Sequence, residues 1–313
     1  MKLLSLARRW ETVLAAVLAI VLGTAAWLDP AFMALSTQLE LSTHAVELLI
    51  VALPMTFVIL SGGIDLSVGS SLALAAVIFG LSYEAGAPVW AASVLGVLTG
   101  SLCGIVNGAF IAGARVHPLI VTLATLAAYR GLAEGISLGR PISGFPDRFL
   151  AIGEGSVGGV PYSLLIAVAA VLAFALTSTR TVFGRRVYAI GSNEIAARYA
   201  GVPIARMKLW LYGIAGTVAG LAGIIHVARR NTAKADVLPQ VELDVITAVV
   251  LGGTSIFGGR GSVVGTVLGV LVIHEVREFV GWRWQRDELI LVVVGSILIV
   301  SVLAHNLVVR RAR

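Results

Sequence analysis

About ten long apolar segments follow one another along this chain, and that repetition limits its fold more than any other feature. A helix needs about 20 predominantly apolar residues to cross the hydrocarbon layer of a bilayer. Of the 313 residues, 58% are hydrophobic and 13% are charged, which is more apolar side chain than a water-soluble globule of this size can bury. The segments lie at residues 11–28, 44–60, 66–83, 88–113, 117–137, 160–178, 207–228, 243–257, 262–281 and 287–306.

The pattern predicts an all-α integral membrane protein with about 10 transmembrane helices, in a single transmembrane domain that covers residues 1–313. The segments at 66–83 and 243–257 are short or flanked by glycine pairs, so we expect short, broken or re-entrant helices there. Totals of eight or nine spans are the alternatives. A cleaved signal peptide is a second interpretation of the N-terminus, although its apolar run is long for one.

The distribution of positive charge indicates an orientation. With the N-terminus in the cytoplasm, the inner loops and tails carry roughly twice as many lysines and arginines as the outer ones, which favours an N-in, C-in arrangement. The loop at 179–206 holds the largest share, whereas the loops at 229–242 and 282–286 oppose the rule. Because cytoplasmic loops account for the net charge of +6, we predict no nucleic acid partner.

Glycine occurs 35 times, and many of its positions repeat at helical spacing. Such spacing places a strip without side chains on one helix face, and in lipid the close approach of two backbones must supply the packing. The sequence therefore predicts tight helix contacts at these glycines. The repeats are Gly96, Gly100, Gly104 and Gly108, then Gly216 and Gly220, then Gly261, Gly265 and Gly269.

No catalytic constellation is found in the sequence. The three lysines, Lys2, Lys208 and Lys234, do not follow a glycine, so the chain has no phosphate-binding loop. The G-x-G-x-x-G match at 153–158 and the G-x-S-x-G match at 135–139 lack the strands that such sites require. The histidines and Cys103 have no metal-ligand spacing. We therefore predict no catalytic residues, no metal and no cofactor, and expect any ATP hydrolysis to occur in a separate partner chain.

The strongest local signal is the segment Ser-Gly-Gly-Ile-Asp-Leu-Ser-Val-Gly-Ser-Ser at 61–71. Gly62 and Gly63 permit a sharp reversal, and Asp65 and Ser67 are candidates to cap the following helix. A charged residue near the membrane is costly, so a role in coupling is the alternative for Asp65. The predicted signature turn consists of Gly62, Gly63, Asp65, Ser67 and Gly69.

This segment resembles the signature of inner-membrane permeases of bacterial ABC importers for monosaccharides, the ribose/arabinose/xylose-type family. The similarity continues at 115–131, 183–193 and 248–262, so it covers essentially the whole chain, and it is closest to rhamnose or autoinducer-2 importers. The resemblance implies a multi-pass permease in the bacterial inner membrane, surrounded by membrane lipid. It also implies three protein partners: an ABC ATPase, a periplasmic sugar-binding protein, and a second permease copy or sister permease.

The resemblance further implies internal inverted repeats, as in other transporters. The Gly-Gly turns at 62–63 and 252–253 are interpreted as a trace of such a repeat. On the outer side, the loop at 138–159 is the longest candidate for contact with the binding protein.

The basic loop at 179–206 contains a candidate ATPase-coupling helix. Ser192 or Asn193 can cap a short helix, Glu194 suits its positive end, and Gly201 followed by proline ends it. The segment 194–201 is similar to the coupling segment of ABC importer permeases, and a solvated loop that only orients the protein is the alternative. The predicted coupling residues are Ser192, Asn193, Glu194, Ala197, Arg198 and Gly201.

Polar residues within the spans are candidates for the substrate pathway, since intramembrane polar groups usually face the bundle interior or a wet cavity. Arg130 and Glu134 lie four residues apart and are expected to pair, whereas Glu47 stands alone in its span. The predicted pathway residues are Asn107, Thr122, Thr125, Arg130 and Glu134. Two alternatives remain: an ABC permease for branched-chain amino acids or nucleosides, and an ion-coupled secondary transporter.

Overall fold

The computed structural model describes residues 2–286 together with 289, 292, 293, 295 and 296, and within them the chain is almost entirely helical. The helices are α1 (Lys2–Leu28), α2 (Leu35–Leu60), α3 (Val68–Glu84), α4 (Val89–Ala112), α5 (Pro118–Ser137), α6 (Asp147–Glu154), α7 (Tyr162–Arg180), α8 (Val182–Ser192), α9 (Glu194–Tyr199), α10 (Ile204–Arg230), α11 (Val241–Leu251) and α12 (Val263–Trp284). The strands are β1 (Ile142–Ser143), β2 (Ser156–Val157), β3 (Val160–Pro161) and β4 (Thr232–Ala233).

The first nine predicted segments each contain a helix, and the tenth, at 287–306, lies almost wholly outside the described residues. Among the residues that the structure describes, six helices are long and apolar enough to cross a membrane: α1, α2, α4, α5, α7 and α10. α3 is shorter at 17 residues, and α11 has 11, so it ends before the predicted boundary at 257. An 11-residue helix rises about 17 Å, well short of the hydrocarbon thickness.

The centre of the bundle is formed by α2, α3 and α10. Their apolar residues are buried around most of each helix, which is the pattern of a helix enclosed by other helices. By contrast, α4, α5 and α7 carry many exposed large apolar side chains, which suits a face in contact with lipid.

Thr56 of α2 and Thr266 of α12 share a buried hydrogen bond of 2.7 Å between their hydroxyls.

The predicted glycine contacts are confirmed between α4 and α10. A Cβ added at Gly104 would lie 2.1 Å from the carbonyl oxygen of Tyr212, and one added at Gly100 would lie 2.4 Å from that of Gly216. A second contact joins α11 to α12, where a Cβ added at Gly265 would lie 2.1 Å from the carbonyl oxygen of Gly252. Side chains at these positions would force the helices apart, so glycine sets the interhelical distance.

The bundle has two distinct ends. Residues 61–67, 181–206 and 252–262 meet at one of them, named here the turn end. Residues 138–161 and 231–233 form the other, named the hairpin end, where β1 pairs with β4 and β2 with β3. Arg140 contributes an ion pair to Glu84 at the hairpin end. The G-x-G-x-x-G match at 153–158 lies here too, across the end of α6 and β2, in a hairpin with no parallel sheet around it.

The two Gly-Gly turns both lie at the turn end, because the backbone N–H of Gly259 donates to the carbonyl of Leu60 at 2.9 Å. α2 and α11 therefore run in the same direction into their turns. An inverted repeat would place the turns at opposite ends, so the interpretation of this pair as a trace of inverted repeats is wrong. Inverted repeats elsewhere in the chain stay a prediction.

The N-terminal helix completes the turn end. The indole N–H of Trp10 donates to the carbonyl of Leu251 at 2.9 Å, at the last turn of α11. Beside it, the Ser262 hydroxyl donates to the Glu11 carboxylate at 2.5 Å and also accepts from the backbone N–H of Gly265, which caps α12. α1 therefore supplies partners for the end of one helix and the start of the next.

Candidate functional site: a coupling segment joined to a buried polar cluster

The signature turn forms the reversal between α2 and α3. Gly62 adopts a φ of +82°, which the turn requires and other residues rarely adopt. A Cβ added at Gly63 would lie 2.5 Å from the Tyr212 hydroxyl oxygen, and one at Gly69 would lie 2.2 Å from a carboxylate oxygen of Glu242. The small residues of the turn therefore admit polar groups from α10 and α11 to its backbone.

Asp65 is fully buried and does not cap α3 as predicted. Its Oδ1 accepts from the backbone N–H of Ser67 at 2.9 Å and from the Ser67 hydroxyl at 2.7 Å. Ser67 occupies the N-cap position but makes no side-chain cap hydrogen bond. The carboxylate is thus held inside the protein by its own turn, and the capping role is wrong for both side chains.

Asn107 and Tyr129 extend this arrangement across two further helices. The Asn107 amide donates to the Ser67 hydroxyl at 2.7 Å, and the Tyr129 hydroxyl donates to the carbonyl of Cys103 at 3.0 Å and lies 3.3 Å from the Asn107 amide oxygen. Thr122 donates to the carbonyl of Ile64 at 3.2 Å. These five residues, Asp65, Ser67, Asn107, Thr122 and Tyr129, are named the polar cluster. It joins α4 and α5 to the signature turn.

The remaining predicted pathway residues are not part of the polar cluster. Thr125 bonds only carbonyls of its own helix, and Glu134 is exposed on α5. Arg130 donates to the carbonyl of Ala235, which is buried in the bundle beside Tyr129, rather than pairing with Glu134, so that predicted ion pair is wrong. Spacing on one helix allowed the pair, but a carbonyl from another segment offers Arg130 a closer partner.

The predicted coupling loop contains two helices, α8 and α9, where the sequence indicated one. The Thr181 hydroxyl caps α8 by accepting from Gly184 N–H, and the Asn193 side chain caps α9 by accepting from Ala196 N–H at 2.9 Å. Ser192 bonds back to the carbonyl of Tyr188, so Asn193 is the cap of the two candidates. Gly201, with a φ of +80°, follows the end of α9, as predicted.

α9 presents a small exposed surface on a fixed base. Ile195 is 70% exposed and Tyr199 is 90% exposed, whereas Ala197 is buried against the bundle. Glu194 accepts from Arg198 at 3.1 Å and from Lys208 of α10 at 2.7 Å, which ties the first turn of α9 to the start of α10. Two exposed apolar side chains on a capped helix suit the cleft of another protein.

The end of α8 packs directly on the last residue of α2 and on the loop at 252–262. A Cβ added at Gly191 would lie 1.7 Å from the carbonyl oxygen of Leu60, and one added at Gly259 would lie 2.9 Å from the backbone of Ser192. The Tyr188 hydroxyl donates to the carbonyl of Gly261 at 2.9 Å, and burial raises the pKa of this hydroxyl. We name the contact of Gly191 and Ser192 with Leu60 and Gly259 the coupling junction. It joins α8–α9 by backbone contact to the end of α2, directly before the signature turn.

Sequence reasoning missed a set of ion pairs in the half of the bundle toward the hairpin end. Glu47 does not stand alone: its carboxylate accepts from Arg229 at 2.8 Å and lies 3.1 Å from His226, both on α10. Arg277 of α12 pairs with Asp244 of α11 at 2.7 Å. The partners lie far apart in sequence, so only the intramembrane position of Glu47 signalled that a partner was required.

Comparison with known proteins gives consistent matches. Residues 38–302 match the family of branched-chain amino acid transport system permease components. The autoinducer 2 import system permease protein LsrD of Yersinia enterocolitica is 34% identical over 96% of this chain and 93% of its own length. LsrD of Yersinia pseudotuberculosis is 35% identical over 96% and 92%, and that of Klebsiella pneumoniae is 34% identical over 96% and 93%. The matched region contains the signature turn, the polar cluster and α8–α9.

Proposed function

We propose, from the premise that this chain belongs to the family of branched-chain amino acid transport system permease components, that it imports autoinducer 2 or a monosaccharide of similar size. As an ABC importer permease it is a multi-pass protein of the bacterial inner membrane and a transport subunit rather than an enzyme. The name shared by its relatives supports autoinducer 2 as the cargo, and none of the relatives described above is named for rhamnose.

The chemistry of the polar cluster agrees with a neutral, hydroxyl-rich cargo. Its side chains are mainly hydroxyls and an amide, and its one carboxylate, Asp65, is turned into its own loop. Such groups exchange hydrogen bonds with hydroxyls without holding a fixed charge against a cargo that must leave quickly. The role of Asn107, Thr122, Thr125, Arg130 and Glu134 along the pathway remains part of this proposal.

The family's own description favours a second cargo, a branched-chain amino acid. A zwitterion would need charged partners of both signs along its path. The two cargoes are separated by titrating the cognate binding protein with each and following its thermal unfolding. A rise in midpoint with autoinducer 2 alone supports the first cargo, and a rise with leucine or valine alone supports the second.

The energy for transport comes from ATP hydrolysis by a separate ATPase that docks on α9. The observation that carries this proposal is the coupling junction, where Gly191 of α8 lies on the carbonyl of Leu60, the residue just before the signature segment, with no side chain between them. A displacement of α9 would therefore move the turn itself, and with it the polar cluster. Two buried polar atoms beside the turn, the Tyr212 hydroxyl and one Glu242 carboxylate oxygen, have no hydrogen-bond partner here, which fits a turn with a second arrangement.

This scheme places the turn end in the cytoplasm and the hairpin end outside, in agreement with the N-in, C-in arrangement and a count of about 10 spans. The loop at 138–159 is then the surface for a periplasmic binding protein. The chain acts as a single permease domain over residues 1–313, paired with a second copy or a sister permease. ATP and cargo drive transport only if they bind the inward-open and outward-open states with different affinity.

The test is a double substitution, Ile195→Asp with Tyr199→Asp, in the permease reconstituted with its ATPase and binding protein. Both side chains are exposed, so the variant folds, and we expect it to lose ATPase association and ATP-driven uptake by at least about tenfold, because apolar anchors are replaced by charges.

The matched control is Leu138→Asp, an exposed apolar residue at the hairpin end, which should retain ATPase association. Equal association of ATPase with both variants would overturn the assignment of α9. Concentrative uptake by the permease alone, without nucleotide, would instead establish an ion-coupled secondary transporter.

A further inference from the structure

A wide cleft of about 710 Å³ opens at the turn end, beside the coupling segment. One wall is the connection between α4 and α5, and the other is the start of α10 with the end of α9. Its charged and titratable lining consists of Arg115, His117, Glu194, Arg198, Arg206 and Lys208.

Some of the basic residues that line the cleft are in ion pairs and others are not. Glu194 is the only acid in the lining, and Arg198 and Lys208 already bind it. Arg115 and Arg206 make no ion pair with any residue that the structure describes. Arg115 also has a φ of +56°, a backbone conformation that an arginine rarely adopts. Two guanidinium groups therefore face the same cavity with unused donors, which is an arrangement that binds an oxyanion.

The surroundings of the cleft are apolar and exposed. Within two residues of its lining, Ile120 on α5 is 63% exposed and Trp210 on α10 is 59% exposed. A tryptophan near the end of a membrane helix, such as Trp210 close to the start of α10, is typical of the interface between lipid headgroups and acyl chains. A free phosphate or an acidic protein would use the arginines but not the apolar flank, whereas a phospholipid uses both.

We propose that this cleft binds the anionic headgroup of a membrane phospholipid, such as phosphatidylglycerol, with its acyl chains along the exposed faces of α5 and α10. Basic pockets between helices on the cytoplasmic side of membrane proteins are suited to such headgroups. The bound phosphate neutralises Arg115 and Arg206 and links the α4–α5 connection to the base of α9. The cleft is thus a lipid site adjoining the coupling segment, and it does not depend on the identity of the cargo.

The test compares lipid binding by the full-length chain and by the double variant Arg115→Gln with Arg206→Gln, using native mass spectrometry in detergent. The probes are phosphatidylglycerol, the zwitterionic phosphatidylcholine and inorganic phosphate. We expect the wild type to retain phosphatidylglycerol in preference to phosphatidylcholine, and the double variant to bind phosphatidylglycerol about 10- to 30-fold more weakly.

A matched control, Arg148→Gln with Arg230→Gln, removes two exposed arginines at the hairpin end and should bind like the wild type. The variant Arg115→Lys with Arg206→Lys keeps the charge and should restore most of the binding. Equal loss in the two glutamine variants would overturn the site, and so would displacement of the lipid by millimolar inorganic phosphate. Unchanged lipid binding with loss of ATPase association would assign the cleft to an acidic protein surface instead.

Discussion

The two ends of the bundle are held together by different kinds of contact. At the turn end, Gly191, Gly258 and Gly259 bring three backbone segments into direct contact. In the half toward the hairpin end, charged side chains make the connections, as between Glu47 and Arg229 and between Asp244 and Arg277. The contact among these three backbone segments depends on the absence of side chains, whereas the contacts in the other half depend on long charged side chains.

The two kinds of contact suit different tasks: backbone contact suits the transmission of a helix displacement, and ion pairs suit helices that separate and close again. A backbone contact has no rotatable side chain within it, so it transmits a displacement with little loss. An ion pair can separate and form again as helices move apart, provided that water or another partner replaces it. This arrangement suits the proposed function, with an ATPase docked at the turn end and cargo delivered at the hairpin end.

The largest expected effect comes from breaking the Glu47 pair. Arg229→Met leaves a buried carboxylate without its strongest partner, so we expect the free energy of unfolding in detergent to fall by about 3–5 kcal/mol, measured by denaturant titration. The neighbouring Arg230→Met serves as control, because Arg230 is exposed. Adding Glu47→Gln to Arg229→Met should restore most of the loss. If the double variant is as unstable as the single one, the loss does not come from an unpaired buried charge, and the Glu47–Arg229 ion pair is not what holds α2 to α10 here.

A smaller loss of stability is expected at the coupling junction. Gly191→Ala places a methyl group against the carbonyl of Leu60, and overpacking of this kind costs about 1–3 kcal/mol. ATPase association should persist while ATP hydrolysis no longer depends on cargo, because α9 stays exposed but its link to the turn is displaced. Gly135→Ala, where the added methyl meets no other atom, is the control. Normal coupling in Gly191→Ala would show that the junction transmits nothing.

The smallest effect is expected at the outer rim of α1 and α12. The Trp282 indole N–H donates to the Asp29 carboxylate at 2.8 Å and holds the pKa of Asp29 below its usual value. Trp282→Phe should return that pKa toward the ordinary range. Because the folded pKa is lowered, the stabilisation is fully present above about pH 4, the pKa of an unperturbed aspartate, and is lost as the pH falls from there through the lowered pKa of folded Asp29.

Wild type and Trp282→Phe should therefore differ slightly in unfolding midpoint at neutral pH and converge once the pH is below the lowered pKa of Asp29. A difference of the same size at both pH values would attribute the effect to the ring, which packs on Phe32, rather than to the hydrogen bond.

Local composition predicted much of the fold. The apolar runs located the helices, and the glycine spacing identified the faces of α4 and α10 that pack closely, although not that they pack on each other. α2 begins at Leu35, nine residues before the predicted boundary at 44, because Thr37, Gln38 and Glu40 are polar residues in a helix that continues beyond its apolar part. α6 and the two-residue strands were not predicted, since elements so short have no measurable period.

The candidate site was predictable only where its partners are close in sequence. Asn193 as the cap of α9 follows from residues within one turn. Asn107 was selected as a polar residue within a span, but its partner Ser67 lies 40 residues away and Tyr129 was not selected. Long-range pairing depends on how the helices pack, and apolar periodicity does not encode it.

The contacts of Trp10 with Leu251 and of Glu11 with Ser262 have a consequence for biosynthesis. α1 is synthesised well before its partners in α11 and at the start of α12, which follow 241 and 251 residues later. Until α11 and the start of α12 have been made, neither contact can form. A chain that lacks residues 1–11 would thus be made and inserted, but it would be destabilised near the other end of the sequence, where Leu251 and Ser262 lose these contacts.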